Sequence, residues 1–273
     1  MQCLAPQMLP IFPFAVGAAT ALVLMRQRRT CKQALRLGSA ALETLLNAID
    51  ANDEETGRHV RRVAQYGLEL ADAAGLSEHE MRSVERVALF HDIGKIHEAL
   101  FDILHDPAKL SAGDRTAVMT HPRRGADVLQ PLSAFYPDLP AGVLAHHERW
   151  DGSGYPRGLK GRRIPQTARI VAIVDAFDAI THRRRYSRAR SLRDARNALL
   201  AGRGTQFDPD LVDLFLSPMV QERIAGIKLE PGGRGKKHNR RGDRVQDAPD
   251  LIFRWRPAKL PRRARRRGHR TAR

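Results

Sequence analysis

The spacing of apolar residues along the chain predicts a helical protein. From Ala34 to Ile49, leucine and isoleucine recur at mixed three- and four-residue spacings, which is typical of an amphipathic helix with one buried face. Four further helices are predicted from apolar spacing and helix-end signals: His59–Ala74, Glu78–Phe90, Ile164–Thr181 and Leu192–Leu200. The alternation of apolar and polar residues that indicates strands is nearly absent, so we predict an all-α fold.

Two stretches interrupt the helical pattern. Asp151–Gly161 (DGSGYPRGLKG) holds four glycines and a proline, which predicts a defined loop between helical segments. After Ile227 the composition shifts to Gly, Arg, Lys and Pro, which cannot bury a core. We therefore predict one folded domain at residues 34–227, followed by a disordered basic tail at residues 228–273.

The first 33 residues form a separate region. Residues 1–25 carry no charged side chain, and a basic stretch at residues 26–33 follows them. The apolar run Leu9–Met25 is short for a spanning helix and contains two prolines and a glycine. Two alternatives stay open: a membrane anchor over residues 1–25, or a start inside a longer hydrophobic region. If the run spans a membrane, the basic stretch places the rest of the chain on the cytoplasmic face.

The net charge of +17 is concentrated in the tail. Residues 228–273 hold 17 basic and 4 acidic residues, so the charge of the remaining chain is close to ordinary. Such a basic run favours a solvated tail or contact with an anionic membrane surface over a specific nucleic acid, because no aromatic platform or groove-reading helix accompanies it. Cys3 and Cys31 are too few for a disulfide framework or a four-cysteine zinc site, so a reducing compartment is expected.

The candidate chemistry lies in histidines and acids. His91-Asp92 ends an apolar helix just before a glycine lets the chain turn, so both side chains can face one cation. His146-His147 repeats this adjacency near a second helix end. Asp175 lies among Ile and Val, where a carboxylate needs a partner. Imidazole and carboxylate without thiolate suit iron, manganese, zinc or nickel.

Six ordered stretches extend this pattern over much of the chain. They are DEETGRHVRRV (53–63), LFHDIGKI (89–96), THPRRGADVL (120–129), HHERWDGSGYPRGLKGRRIP (146–165), ARIVAIVDAFDAIT (168–181) and QFDPDLV (206–212). One such stretch would be weak, whereas six in order are very specific. From about Ala48 to Leu216, the sequence therefore resembles the HD-GYP family, a subgroup of the HD phosphohydrolase superfamily.

The resemblance implies an HD-superfamily helical bundle with a metal site in its centre. It implies two or three divalent ions, iron or manganese being favoured, and hydrolysis of cyclic di-GMP to pGpG or GMP in bacterial signalling. The family's metal ligands fall on seven residues: His59, His91, Asp92, His121, His146, His147 and Asp175. In the mechanism that we expect, Asp92 bridges two ions and Lys95 neutralises a phosphate oxygen. Asp178 is interpreted as structural.

Glu55 and Lys95 each have two interpretations. Glu55 lies four residues before His59 on the same helix face, and the resemblance implies that such a glutamate binds a third metal. The alternative is an acid in the first turn of a helix capped by Asp53, where it interacts with the helix dipole. For Lys95, the alternative to phosphate contact is a solvated lysine after a helix end.

The substrate side of the resemblance is less complete than the metal side. Arg184 falls on the family's substrate-contacting arginine, although a solvated basic loop is the alternative. Arg185 and Ser187 depart from the family pattern, and His97–Leu104 departs from the stretch that covers the site. The departures at Arg185 and Ser187 leave one alternative open, a module that binds cyclic di-GMP without turnover. A second alternative is an HD hydrolase of another nucleotide, because the fold alone does not choose the substrate.

The resemblance also concerns partners. It implies a diguanylate cyclase, a GGDEF protein, as a partner of the domain. It links Gly154-Tyr155-Pro156 to partner contact and to the shape of the site, and the glycine and proline are expected to fix the loop after the histidine pair.

Overall fold

The computed structural model describes residues 12–96, 116–182 and 189–227, and almost all of their regular structure is helical. Nine α-helices have both ends in these ranges: α1 Phe12–Asn52, α2 Glu54–Ala73, α3 Glu78–Phe90, α4 His121–Leu129, α5 Asp138–Ala145, α6 Gln166–Thr181, α7 Leu192–Gly202, α8 Pro209–Phe215 and α9 Pro218–Ala225. Extended pairing within the described ranges is limited to an isolated bridge between Arg203 and Phe207. The predicted all-α class is confirmed.

Capping side chains set where α2 and α3 begin. α2 begins five residues before its predicted start, because the Asp53 carboxylate accepts a hydrogen bond from the Glu55 N–H at 3.0 Å. α3 has the predicted bounds, and Ser77 and Glu80 form a capping box at its start. α6 and α7 agree with the prediction to within two residues at each end, whereas α1 extends beyond Ala34–Ile49 in both directions.

Four helices escape the apolar-spacing analysis: α4, α5, α8 and α9. Each has only seven to nine residues, so a helical repeat is barely sampled. Proline occupies the first turn of α4, α8 and α9. It signals a turn in a sequence, but the first turn of a helix tolerates it because the N–H groups there have no intrahelical acceptor.

The core is built around α2, which packs against α3 and α6. One cluster of fully buried apolar side chains joins the three helices: Val63, Leu70, Val84, Leu89, Phe90, Ile170, Ile173 and Val174. Helices α1, α8 and α9 contact other parts of α2, while α4 and α5 pack on each other and α5 also contacts α3. This arrangement brings the end of α3, the start of α4 and the end of α5 towards the middle of α2 and α6.

Several predicted regions lie wholly or partly outside the described residues. They are residues 1–11 of the apolar segment, the tail 228–273, the stretch His97–Leu104 and Arg184 with its neighbours. Among the described helices, none combines the length and apolar character that crossing a bilayer requires, so the predicted membrane anchor gains no support. α1 is continuous across the boundary predicted between residues 33 and 34.

A buried ion pair between α6 and the start of α8 gives a test of this packing. Asp208 is 4% exposed, accepts from Arg169 Nη1 at 2.5 Å and caps α8 through the Asp210 N–H. Asp208→Ala leaves the guanidinium buried without its carboxylate, so we expect the free energy of unfolding to fall by about 3 kcal/mol or more in urea denaturation followed by circular dichroism.

The matched control is Asp213→Ala. Asp213 pairs with Arg203 at 2.5 Å, but both side chains are about half exposed, so solvent screens the pair. We expect its denaturation midpoint to match that of the wild type. Equal losses of stability in the two variants would contradict the importance of the buried pair.

Candidate metal centre

The structure brings the seven predicted ligands together in two adjoining groups. In each group, the potential ligand atoms all lie within 4.8 Å of one another. The first group is His59, His91 and Asp175, and the second is Asp92, His121, His146 and His147. The imidazole ring of His91 lies 5.4 Å from that of His59 and 5.2 Å from that of His146, measured between centroids, so the groups share a boundary.

The turn after α3 places Asp92 against α4. His91 is the C-cap of α3, and the short 3-10 turn Ile93–Ile96 follows Asp92. A Cβ at Gly94 would lie 2.1 Å from the carbonyl oxygen of His121, so any other residue would push the turn away from α4. Glycine therefore allows Asp92 Oδ1 to come within 3.4 Å of His121 Nε2.

Backbone carbonyls fix the orientation of three of the histidines. In each case Nδ1 faces the carbonyl three residues earlier, at 2.8 Å for His91, 2.7 Å for His121 and 2.6 Å for His146. A carbonyl only accepts hydrogen bonds, so Nδ1 carries the proton. In the neutral imidazole, the lone pair is then on Nε2, which points into the centre.

This orientation leaves acceptors facing acceptors. The Nε2 atoms of His121 and His146 lie 3.1 Å apart, and neither can donate while its Nδ1 holds the proton. His91 Nε2 and Asp92 Oδ1 are buried and have no hydrogen-bond partner among the described residues. Buried lone pairs without donors are unfavourable unless a cation lies among them. The residues therefore fit a divalent metal that accepts imidazole and carboxylate ligands.

The charge states of the second group suit metal binding at neutral pH. Burial raises the pKa of Asp92, but Lys95 and His91 outweigh it and hold that pKa well below its ordinary value. Lys95 Nζ donates to Asp92 Oδ2 at 2.7 Å. Burial and neighbouring histidines lower the pKa of His146 well below its usual range, and burial followed by His121 lowers that of His147 to about 4. An ionised carboxylate and neutral imidazoles are the forms that bind metals.

A buried carboxylate positions His59 in the first group. Asp178 Oδ2 accepts from His59 Nδ1 at 2.6 Å, which leaves His59 Nε2 3.3 Å from Asp175 Oδ1. Arg62 binds both oxygens of Asp178, through Nε at 2.5 Å and Nη2 at 2.9 Å. Burial raises the pKa of Asp178, but hydrogen bonds from His182, His59 and Arg62 lower it far below its ordinary value.

The sequence analysis assigned no site role to Arg62, and it treated Asp178 as structural. A signal was available for both residues. Arg62 lies three residues after His59, and Asp178 lies three residues after Asp175, so each shares a helix face with a predicted ligand.

The loop after α5 closes one side of the second group. Tyr155 stacks on His147, with ring centroids 4.9 Å apart and an interplanar angle of 24°, and its N–H donates to the His147 carbonyl. A Cβ at Gly154 would lie 2.3 Å from the backbone nitrogen of Arg149, so this close return of the chain needs glycine. The glycine of the triplet therefore fixes the loop, as predicted.

Glu148 anchors the far side of the same loop. Its side chain is buried, and its two carboxylate oxygens accept the N–H groups of Arg157 at 2.8 Å and Leu159 at 2.9 Å. The sequence analysis did not single out this glutamate, although it directly follows the predicted ligands His146 and His147. It holds the loop that carries Tyr155 and is therefore part of the support of the site.

The remaining predicted site residues lie apart from the two groups or outside the described residues. Glu55 is half-buried in the first turn of α2 and belongs to neither group, so its role as a third-metal ligand stays a prediction. Lys95 is next to Asp92, and its side chain is 29% exposed. Arg184 lies outside the described residues, and its predicted substrate contact is not addressed.

The part of the chain that carries this centre is similar to known proteins. The family profile described as HD domain matches residues 43–211. The cyclic di-GMP phosphodiesterase response regulator of Xanthomonas campestris is 40% identical over 188 residues, which cover 68% of this chain and 49% of that protein. The cyclic di-GMP phosphodiesterase of Thermotoga maritima is 35% identical over 200 residues, covering 72% and 53%.

The 3'3'-cGAMP-specific phosphodiesterase 2 of Vibrio cholerae is 40% identical over 174 residues, covering 63% of this chain and 33% of that protein. This chain thus spans between a third and about half of the length of the three relatives.

Two solved structures share the fold. A cyclic GMP-AMP specific phosphodiesterase of V. cholerae has a TM-score of 0.51 and 23% identity, covering 69% of this chain and 49% of that chain. The HDG"Y"P protein of Bdellovibrio bacteriovorus has a TM-score of 0.51 and 19% identity, covering 69% and 62%. At these identities the likeness concerns the fold alone. Because the HD domain profile covers more than half of the chain, the chain belongs to the HD domain family, and the HD-GYP group fits its motifs.

Proposed function

We propose that this chain is a metal-dependent phosphodiesterase that hydrolyses cyclic di-GMP to pGpG or GMP. The observation that carries the proposal is the pair of ligand groups, in which imidazoles and carboxylates converge and two buried acceptors, His91 Nε2 and Asp92 Oδ1, have no hydrogen-bond partner among the described residues. The names of the X. campestris and T. maritima relatives support the substrate class.

Each ligand group would hold one divalent ion, and iron or manganese suits its imidazole and carboxylate ligands. When bound, such ions supply the positive charge and the activated water that attack on an anionic phosphodiester needs at neutral pH. Two groups favour two ions over three. A third ion at Glu55 is the alternative, which counting the metal per chain decides.

The protein's own residues orient the reacting groups. Asp92 Oδ2 lies 3.4 Å from His91 Nε2 and Oδ1 lies 3.4 Å from His121 Nε2, which supports the proposal that Asp92 bridges the groups. Lys95 is partly exposed beside Asp92, which supports its proposed role in neutralising a phosphate oxygen. Asp178 keeps the proton on His59 Nδ1 and leaves Nε2 to the first group.

A second candidate substrate is 3'3'-cGAMP. It is favoured by the V. cholerae relative named as specific for it, which is as similar to this chain as the X. campestris protein. The two cyclic dinucleotides differ in one base, and the ligand groups described here face the phosphate chemistry that both share. A module that binds without turnover is a third possibility, based on Arg185 and Ser187.

Partner and location are further proposals. A diguanylate cyclase is the proposed partner of the loop that contains Gly154-Tyr155-Pro156. The basic tail at residues 228–273 is proposed to contact an anionic membrane surface, which would keep the domain on the cytoplasmic face.

The first test is cyclic di-GMP hydrolysis by the full chain, purified without oxygen, with the metal content counted. We expect turnover that needs manganese or iron, and about two ions per chain. Asp92→Ala should lose metal and reduce kcat/KM more than about 100-fold, because the missing charge stabilisation is worth several kcal/mol. The exposed carboxylate of Asp127 on α4 provides a control, and Asp127→Ala should retain both metal and turnover.

Parallel assays with 3'3'-cGAMP identify the preferred substrate. A folded, metal-loaded wild type that hydrolyses neither cyclic dinucleotide would overturn the enzymatic proposal. Tight binding of cyclic di-GMP in that case would indicate the module without turnover.

The second test separates two effects: neutralisation of the substrate's negative charge by Lys95, and metal binding. Lys95→Met is one atom shorter and removes the charge, so we expect kcat/KM to fall about 100-fold. Because Lys95 also pairs with Asp92, turnover is compared at equal metal content. Lys32→Ala, an exposed lysine on α1, serves as the control and should change neither value. Full activity of the metal-loaded Lys95 variant would show that this lysine pairs with Asp92 but does not act on the substrate.

A further inference from the structure

We propose that His182 is a positioning residue of the metal centre, which acts through Asp178 on the imidazole of His59. The inference rests on the proposed binding of a metal by the group His59, His91 and Asp175. His182 itself belongs to neither ligand group, and its side chain is 35% exposed at the end of α6. Its influence on the centre must therefore pass through the residues that it contacts.

Four nitrogen atoms of three side chains surround the carboxylate of Asp178. This carboxylate has no exposure to solvent. Oδ2 accepts from His59 Nδ1 at 2.6 Å and from Arg62 Nη2 at 2.9 Å, and Oδ1 faces Arg62 Nε at 2.5 Å and His182 Nδ1 at 3.1 Å. A carboxylate offers about four lone-pair positions, so these four contacts satisfy it. Removing His182 leaves Oδ1 with Arg62 Nε alone, so the carboxylate is held less firmly on that side.

Contacts with Thr181 and Asp178 set the orientation of His182. The hydroxyl of Thr181 donates to the Phe177 carbonyl at 2.8 Å, so the contact of 3.0 Å between Thr181 Oγ1 and His182 Nδ1 requires the imidazole to donate. Nδ1 therefore carries a proton, which Thr181 and Asp178 share. The His182 N–H also bonds to the Asp178 carbonyl at 3.0 Å, so both backbone and side chain tie this residue to Asp178.

The two ligand groups differ in the groups that orient their histidines. His59 is oriented by a side-chain carboxylate, which has several rotamers, whereas His121 and His146 are oriented by backbone carbonyls. A rotation of Asp178 would tilt His59 and weaken its Nε2 as a ligand, but it would leave the second group in place. Loss of His182 should therefore weaken metal binding at one group only, and a general loss of stability would not produce that signature.

The experiment is a calorimetric titration of the metal-free full chain with Mn²⁺ under anaerobic conditions. The wild type should bind in two steps. Changing the carboxylate that backs a ligand typically costs 10- to 100-fold in affinity, so Asp178→Asn gives the upper reference. His182 lies one contact further out, and we expect His182→Ala to weaken one step about 3- to 10-fold and leave the other within about twofold.

Two further variants test the hydrogen bond itself. His182→Asn places an amide N–H where Nδ1 lies, and it should restore the weakened step to within about twofold of the wild type. His182→Gln fills similar space but carries its amide further out, so it should behave like His182→Ala. If His182→Ala does not fold, His182→Gln takes its place in the titration. His79→Ala, an exposed histidine on α3, is the control and should leave both steps unchanged.

The results of the titration distinguish failure of the His182 role from failure of the proposed metal binding. A folded wild type that binds no Mn²⁺ would overturn the metal proposal and the role of His182 together. A wild type that binds two ions, with His182→Ala and His182→Gln binding both as tightly, would overturn the role of His182 alone. Equal weakening of both steps would also overturn it, because the effect would then be general.

Discussion

The facing lone pairs of buried histidines are the constraint on which the centre of this protein depends. Each of three imidazoles donates its Nδ1 proton to a carbonyl three residues earlier, and each then turns an acceptor inward. Without a cation, that arrangement has an electrostatic cost, and His91 Nε2 has no hydrogen-bond partner among the described residues. The fold therefore holds together a set of groups that are complementary to an ion rather than to one another.

Helix ends satisfy this constraint better than helix middles. His91 and His146 are the C-caps of α3 and α5, and His121 opens α4. Near an end, the chain leaves the helical path, so neighbours such as His146 and His147 can reach the same group, whereas adjacent residues in mid-helix diverge. The large apolar contact of α2 with α3 and α6 helps to hold these helix ends in position. Gly94 lacks the side chain that would separate the turn after α3 from α4.

The sequence predicted the parts of the site that are local and chemically distinctive. The bounds of α3 follow from apolar spacing and the glycine after its end, and adjacent His-Asp and His-His pairs mark four of the proposed ligands. Asp178 was not assigned its role as the carboxylate that orients His59, because their contact joins residues 119 positions apart on two helices. Its position on the Asp175 face of α6 was visible in the sequence, but its partner His59 is identified only by the packing of α2 against α6. The short helices α4 and α5 were missed for the related reason that tertiary contacts, rather than their own repeat, stabilise them.

The distribution of charge explains how such a buried centre can receive an anion. Asp178 is balanced by Arg62, so this supporting pair adds no net charge to the first group. The proposed ligand carboxylates are Asp92 and Asp175, and Lys95 already pairs with the former. Two divalent ions would outweigh these acids and make the loaded centre positive, and burial of the histidines around it would weaken the screening of that charge. A phosphodiester would then be attracted by the same excess of charge that stabilises the additional negative charge during hydrolysis.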